Sequence, residues 1–228
     1  MRSDLSIFRQ RSIQELEELQ YFLETCPPAL RAAMRPRSYD PGEVILAPGF
    51  CGEQVFLLTA GQAKLTAQRD NGATVILSLY NHWELLGELE AFTGSVCEKS
   101  IVALLPCQVL VIDRAAFFQW LQTDFAFNRY ILALLSQKLL RLSATSQVSM
   151  SGFLRERIAH ILLANRTAAG YFPYGKHVLA ESVGTSIRSL NRVLGQMIRA
   201  DLIAVSGSRI QIRNADALCA LAEGGTRR

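Results

Sequence analysis

Long apolar segments are missing from this sequence of 228 residues. The strongest apolar run, Ile131 to Leu135, is far shorter than the roughly 20 residues that a helix needs to span a bilayer. The N-terminus leads into Arg- and Glu-rich sequence without the apolar core of a secretory signal. A composition of 50% hydrophobic and 19% charged residues excludes general disorder. We therefore expect a soluble, globular, cytoplasmic protein.

Cysteine and histidine are scarce, which excludes several kinds of site. The five cysteines form no C-x-x-C pair, so neither a disulfide framework nor a zinc ribbon is expected. Only His82 lies in the predicted β region, whereas a cupin-type metal enzyme needs several histidines and a carboxylate around one ion. Ser-His-Asp order, P-loop and G-x-G-x-x-G are all missing. The sequence therefore predicts neither an enzyme nor a metal site.

Charge is distributed unevenly along the chain, although the net charge is only +4. Residues 1–150 contain 13 Lys/Arg against 15 Asp/Glu, whereas residues 151–228 contain 11 against 5. A compact basic unit beside a slightly acidic one favours a polyanionic partner for the C-terminal part. Nucleic acid is the partner that this asymmetry predicts.

Short β-type runs follow one another from Asp40 onward, separated by Gly, Pro and Asn turn signals. They are Val44 to Leu46, Val55 to Thr59, Ala63 to Ala67, Thr74 to Tyr80, Ile101 to Leu104 and Val109 to Ile112. Asp70-Asn71-Gly72 is the clearest hairpin turn among them. Because no helices separate these runs, we predict an antiparallel jelly-roll or barrel rather than a parallel sheet.

Helical patterns precede and follow this β region. Residues 1–24 are predicted to form one helix, and Asp113 is predicted to cap a helix from Arg114 to Gln122. A longer helix from Phe125 to about Met150 is apolar on more than one face, so we expect it to pack on the β unit and on a partner helix. An ordinary core helix within one chain is the alternative. Ser151-Gly152 is the predicted hinge that follows.

The segment from Lys176 to Arg199 is predicted to be a helix, a sharp turn and a second helix. Gly184 suits the left-handed conformation of such a turn, and Ser186 suits the cap of the second helix. The predicted buried faces consist of Leu179, Val183, Ile187, Leu190, Val193, Leu194 and Met197. The second helix is left with four outward side chains, Arg188, Ser189, Asn191 and Arg192. Arg is suited to guanine edges or phosphates, Asn to adenine and Ser to phosphates.

A predicted hairpin follows directly, with strands at Leu202 to Val205 and Arg209 to Ile212 joined by Ser206-Gly207-Ser208. A helix-turn-helix followed by a hairpin is the winged-helix arrangement, whose second helix enters the major groove. We therefore predict that this domain binds double-stranded DNA. The candidate contacts are Ser186, Arg188, Ser189, Asn191 and Arg192 on the helix, with Lys176 and Arg209 on the DNA backbone.

Short motifs in both halves match a known family. They are Val44-Ile45-Leu46-Ala47-Pro48-Gly49, Val55 to Leu58, Ala60-Gly61-Gln62-Ala63, Leu86-Gly87-Glu88-Leu89, the long helix, Arg157-Ile158-Ala159 and Leu179 to Leu194. With them the chain resembles the cyclic-AMP receptor protein and fumarate–nitrate regulator (CRP/FNR) family of bacterial transcription factors. The resemblance implies an α+β fold of two domains, with an N-terminal helix and effector-sensing β-roll at 1–124, a dimerisation helix at 125–150 and a winged helix-turn-helix at 151–228. It also implies a homodimer on pseudo-palindromic operators, with RNA polymerase as a further candidate partner and no membrane.

The same resemblance points to a candidate effector site in the β-roll, where the match is incomplete. Gly87-Glu88-Leu89 fits the family's phosphate cassette, and the resemblance implies that Glu88 holds a ribose hydroxyl. However, Glu90 replaces a small residue, and Lys99-Ser100-Ile101 replaces an Arg-Ser-Ala. Lys cannot form the two-pronged bond of Arg with a phosphate. The candidate effector contacts are Gly87, Glu88, Leu89, Lys99, Ser100 and, on the long helix, Leu142 and Ser143.

We expect no cofactor and no cyclic nucleotide in this site, with a cyclic nucleotide open as the alternative. The effector is then an unusual small molecule, or the protein is active without one. Glu90 is expected to lie in a solvated loop. Cys97 and Cys107 flank one predicted strand. Two interpretations of them are open, a redox pair and two buried thiols. The alternative function is a ligand-sensing β-roll protein whose helical C-terminal domain binds a protein partner instead of DNA.

Overall fold

The structure is a computed structural model that describes residues 20–68, 74–149, 153–207 and 209–222, with the side chains of the long helix described up to residue 140. It divides into two compact units, one made mainly of residues up to Lys138 and the other mainly of residues from Leu139 onward. Three predicted features lie outside the described residues, namely the helix before residue 20, the turn at Asp70-Asn71-Gly72 and the hinge at Ser151-Gly152.

Strands preceded and followed by helices make up the described chain as far as residue 149. The helices are α1 (20–25), α2 (Pro28–Ala32), α3 (Glu88–Thr93), α4 (Arg114–Thr123) and α5 (Phe125–Ser149). The strands are β1 (Arg35–Tyr39), β2 (Val44–Leu46), β3 (Gln54–Ala60), β4 (Gln62–Gln68), β5 (Thr74–Asn81), β6 (Glu84–Leu86), β7 (Ser100–Ala103) and β8 (Cys107–Asp113). All six predicted strands are confirmed to within two residues at each end.

The strands form two four-stranded sheets, in the orders β1-β8-β3-β6 and β2-β7-β4-β5. Neighbours run antiparallel throughout the first sheet and on both sides of β7 in the second. Phe56 and Leu58 of β3 belong to a core that also contains Ile101 of the second sheet, whereas Val55 and Leu57 pack with the helices. Both faces of β3 are covered, which explains its continuous apolar run. The predicted antiparallel jelly-roll is confirmed.

Strand β1 is not among the predicted strands, because this edge strand has no apolar face. Pro36 is tolerated there, since an edge strand leaves one side of its backbone unpaired. Arg35 Nη2 donates to Asp113 Oδ1 at 2.5 Å, and Gln54 Nε2 donates to the same oxygen at 3.1 Å. The prediction that Asp113 caps α4 is therefore wrong. Asp113 occupies the N-cap position, but its carboxylate accepts from the two strands instead of from the helix.

Helix α5 confirms the predicted helix from Phe125 to about Met150. Phe127, Ile131 and Leu134 form a buried stripe in the core of the first unit. Three leucines elsewhere on the same helix are exposed, namely Leu132, Leu139 and Leu140. The helix is thus apolar on its packed face and on a second, exposed face.

The second unit contains helices α6 (Leu154–Ala164), α7 (Lys176–Val183), α8 (Ile187–Arg199) and α9 (Ala215–Ala222), and strands β9 (Tyr171–Phe172), β10 (Ile203–Ser206) and β11 (Arg209–Ile212). The strands form an antiparallel sheet in the order β10-β11-β9. The predicted winged helix-turn-helix is confirmed, while β9 and α9 were missed. Strand β9 has only two residues, and a Gly/Pro-rich connector surrounds it. Within the described ranges, no helix combines the length and the apolar character needed to cross a bilayer.

Candidate nucleic-acid interface

The turn between α7 and α8 determines where the second helix starts. Helix α7 ends at Gly184, whose φ of 65° lies in the left-handed region that glycine adopts without strain. The Thr185 N–H donates to the Ala180 carbonyl at 2.9 Å, which closes the end of α7. Ser186 then caps α8, because its Oγ accepts a hydrogen bond from the Ser189 N–H at 3.2 Å. Both predicted roles, the turn glycine and the serine cap, are confirmed.

Helix α8 has a buried face and an exposed face. The buried side chains are Leu190, Val193, Leu194 and Met197, as predicted, whereas Ile187 is only half-buried. Of the predicted outward side chains, Arg188, Asn191 and Arg192 are exposed and Ser189 is half-buried. Gln196 and Arg199 are also exposed, although neither is among the predicted outward side chains. Their spacing was the available signal, because they follow Arg192 by four and seven positions on one helix face.

The exposed face of α8 is cationic. The helix carries three arginines and no acidic residue. Residues 153–222 together contain nine Lys/Arg and four Asp/Glu. An exposed helix of this charge, with its N-terminal turn held by a cap, has the side chains and the position that major-groove readout requires.

Two further candidate contacts lie outside α8. Lys176 is the first residue of α7 and is half-buried. Arg209 is exposed at the start of β11, opposite Ser206 and next to the tip of the hairpin. Arg213, by contrast, forms an ion pair with Asp201, with Nε 3.4 Å from Oδ1. Contact with DNA stays a prediction for all seven candidate residues.

The candidate effector cassette is helical, so the expectation of a solvated loop at Glu90 is wrong. Helix α3 begins after Gly87, whose φ is 78°, and Glu90 is half-buried within it. A Cβ at Gly87 would lie 3.1 Å from the Phe50 ring, so the cassette backbone packs directly on the side chains beneath it. Leu89 is half exposed. The helix has only six residues between two glycines, which is too short for a periodic signal in the sequence.

Glu88 is buried and already engaged within the protein. Lys138 Nζ donates to Glu88 Oε1 at 2.5 Å and to the Leu85 carbonyl at 2.8 Å. The same Nζ lies 5.3 Å from the centroid of the Tyr80 ring. Lys138 is not among the predicted site residues, although its spacing of four positions from Leu134 places a lysine on the buried stripe of α5. A lysine at a buried position of a helix indicates that a group of opposite charge is buried beside it.

The other candidate effector residues are less enclosed. Lys99 is exposed, and Ser100 is half-buried at the start of β7. The Ser100 carbonyl accepts a hydrogen bond from Thr66 Oγ1 at 3.3 Å. The side chains of Leu142 and Ser143 lie outside the described residues. Effector binding by these residues stays a prediction.

Comparison with known proteins accounts for both halves of the chain. Residues 36–124 match the Cyclic nucleotide-binding domain family, and residues 156–221 match the Crp-like helix-turn-helix domain family. The Cyclic AMP receptor protein of Thermus thermophilus is 24% identical over 190 residues, which cover 82% of this chain and 88% of that protein. The CRP-like cAMP-activated global transcriptional regulator of Mycobacterium tuberculosis is 20% identical over 199 residues, which cover 83% and 89%. The chain belongs to the CRP/FNR family.

Solved structures share the fold of this CRP/FNR protein. The c-di-GMP responsive global regulator CLP of Xanthomonas campestris matches with a TM-score of 0.74 at 19% identity, covering 87% of this chain and 99% of that one. FixK2 from Bradyrhizobium japonicum matches with a TM-score of 0.69 at 20% identity, covering 82% and 96%. The two family matches and the curated relatives make this CRP/FNR protein a DNA-binding transcription regulator.

The cysteines in the β-roll of this CRP/FNR protein are part of its apolar core. Cys97 and Cys107 are both buried in the cluster between the two sheets. Burial raises the pKa of both thiols. The Cys107 Sγ donates to the Gln62 carbonyl at 3.2 Å. In the part of the chain that the structure describes, no three His, Cys, Asp or Glu side chains converge as metal ligands would.

Proposed function

We propose that this regulator is a homodimer that binds pseudo-palindromic operator DNA through α8 and needs no cyclic nucleotide. The observation that carries the proposal is the exposed cationic face of α8 above a buried apolar one. Arg188 and Asn191 lie near the N-terminus of the helix, where recognition helices contact base edges. Arg suits guanine and Asn suits adenine, so these two residues are proposed to read sequence, while Lys176 and Arg209 contact phosphates.

The proposed dimer rests on the exposed leucines of α5. Leu132, Leu139 and Leu140 are 60%, 68% and 71% exposed. They are seven and eight positions apart, so they share one face of the helix. A leucine face of this kind is stabilised by packing on a second copy, as in helix bundles and coiled coils. The dimer would present two α8 helices about one duplex turn (~34 Å) apart.

The proposed independence from cyclic nucleotides rests on the cassette. One relative is named Cyclic AMP receptor protein, and another is described as c-di-GMP responsive. In this chain Lys99 stands where the resemblance expects an arginine, and Glu88 already holds Lys138. Lys offers a phosphate a point charge rather than a planar fork. The protein is accordingly proposed to be a non-enzymatic, cytoplasmic regulator without a cofactor, which acts with RNA polymerase.

Selection of duplexes from a random 30-base-pair library tests this function. The enriched sequences are expected to be palindromic and to bind at least 1,000-fold more tightly than random duplex, a ratio typical of specific DNA binding. The association constant should fall steeply with salt, because bound phosphates release counterions. Light scattering should give twice the chain mass, and added cyclic AMP should leave DNA affinity unchanged. Weak, salt-insensitive binding without enrichment would favour the protein-partner alternative.

A further inference from the structure

Lys138 stands where α5 would otherwise carry an apolar side chain. Phe127, Ile131 and Leu134 form the buried stripe of this helix, at successive spacings of four and three residues. Lys138 continues the same stripe after four more positions. Its side chain is only 12% exposed. A lysine is seldom so enclosed unless its charge is paired.

The ammonium group of Lys138 ties α5 to the candidate effector cassette. Its Nζ donates to Glu88 Oε1 in α3 at 2.5 Å and to the Leu85 carbonyl in β6 at 2.8 Å. It also lies 5.3 Å from the centre of the Tyr80 ring in β5, within the range of a cation–π interaction. Glu88 is 3% exposed. One side chain of α5 thus contacts three other elements of the same unit.

Burial makes this pair behave differently from a surface ion pair. The Arg35–Asp113 and Arg213–Asp201 pairs are about half exposed or more, and such pairs contribute little. When one partner of a buried pair is removed, an uncompensated charge remains in a poorly solvated place. The Lys138–Glu88 contact therefore resists separation. It fixes the rotation of α5 about its own axis, because Lys138 faces inward while Leu139 and Leu140 are exposed.

We propose that Lys138 is a built-in ligand of Glu88, and that this internal tether keeps the protein in its DNA-binding form without a diffusible effector. The proposal rests on the proposed function, in which the leucine face of α5 joins two copies. A ligand hydroxyl that approaches Glu88 must compete with an ammonium group already in contact. A hydroxyl can donate to the carboxylate but cannot neutralise its buried charge, whereas the ammonium group does both, so the internal cation prevails.

The decisive experiment compares single and double substitutions of the pair on a duplex selected by the wild-type protein. Lys138→Met is expected to weaken DNA binding about 10-fold, within the 5- to 150-fold range of coupling between sites. Arg37→Met is the matched control, because Arg37 is an exposed cation of β1 and lies outside α5 and its leucine face. It should bind DNA as the wild type does.

The double variant Lys138→Met with Glu88→Gln separates a tether from a merely structural pair. It leaves no buried charge unpaired, so its melting temperature should return most of the way to that of the wild type. Its DNA affinity should nevertheless stay about 10-fold low, because α3 and α5 are no longer joined. Wild-type DNA affinity in the folded double variant would overturn the proposal.

Chemical rescue provides a second readout. Lys138→Ala removes the ammonium and leaves space for a small amine, so propylammonium should restore DNA affinity. Tetramethylammonium at the same ionic strength should not, since it has no N–H to donate to Glu88. Equal effects of the two cations would contradict the tether. If the wild-type protein binds no duplex at all, the proposed function fails; if it binds and Lys138→Met matches Arg37→Met, only this inference fails.

Discussion

The two candidate sites of this regulator treat charge in opposite ways. On α8 the cationic side chains Arg188, Arg192 and Arg199 are exposed, and the helix contains no acid to neutralise them. In the β-roll the cation of Lys138 and the carboxylate of Glu88 neutralise each other in a buried position. The arginines of α8 therefore need an external polyanion as counter-ion, whereas Lys138 in the β-roll already has one in Glu88. The fold that this chain shares with its family therefore does not determine which of the two sites binds a ligand. The side chains at each site determine it.

The proposed DNA-binding site needs two copies of α8, which the dimer would supply through the leucine face of α5. Leu132→Glu combined with Leu139→Glu places charges on that face and should convert the dimer to a monomer. DNA affinity should then fall by about 100- to 10,000-fold, the usual gain from linking two binding modules. Light scattering and fluorescence anisotropy measure the two effects.

Leu105→Glu is the control for this variant. Leu105 is comparably exposed but lies between β7 and β8, so the variant should stay dimeric and bind DNA normally. A doubly substituted protein that remains a dimer would show that the leucine face is not the interface.

Removing one charged side chain from each site sharpens the contrast. Arg188→Ala should cost about 1–3 kcal/mol on the preferred duplex and relax preference at one base position, as expected for a base-edge contact. Lys99→Ala, which removes an exposed cation of the β-roll, should leave DNA affinity unchanged. Binding to a panel of single-base operator variants distinguishes the two outcomes. Equal losses on every duplex would instead make Arg188 a phosphate contact.

The DNA-binding site was predictable because its signals are local. Gly184 and Ser186 act within one turn of where they stand in the sequence. The faces of α8 follow from helical spacing alone. Gln196 and Arg199 obey the same spacing, and they were missed only because the prediction ended at Arg192.

The buried Lys138–Glu88 pair in the β-roll depends on contacts between distant parts of the chain. Lys138 and Glu88 are 50 residues apart, and no local pattern joins them. Asp113 shows the same limit: its position before a helix suggested a cap, but Arg35, 78 residues away, holds its carboxylate. The sequence reveals that a buried lysine needs a partner, whereas tertiary packing decides which carboxylate that partner is.

Thiol reactivity tests how closed the β-roll core is. Burial raises the pKa of Cys97 and Cys107, so less thiolate exists at a given pH, whereas Cys51 is exposed. Iodoacetamide at pH 8 should therefore modify Cys51 at least about tenfold faster than the two buried thiols, as followed by mass spectrometry. Equally fast labelling of all three cysteines would contradict the burial of Cys97 and Cys107.

The pH dependence of stability tests the same burial. The unfolded chain ionises Cys97 and Cys107 first, so the free energy of unfolding should decrease as pH rises above the ordinary thiol pKa of about 8.5.

The smallest expected change concerns Lys176, the proposed phosphate contact at the start of α7. Lys176→Ala should weaken binding to every duplex to a similar degree, because a phosphate contact carries no sequence information. Each phosphate contact contributes about 0.9 to the slope of log K against log salt concentration. A dimer would lose two such contacts, so the slope should decrease by about 1.8, whereas Arg37→Met, at an exposed cation of β1, should leave it unchanged. A slope unchanged by Lys176→Ala would place this half-buried lysine outside the interface and confine the cationic surface to α8 and the wing.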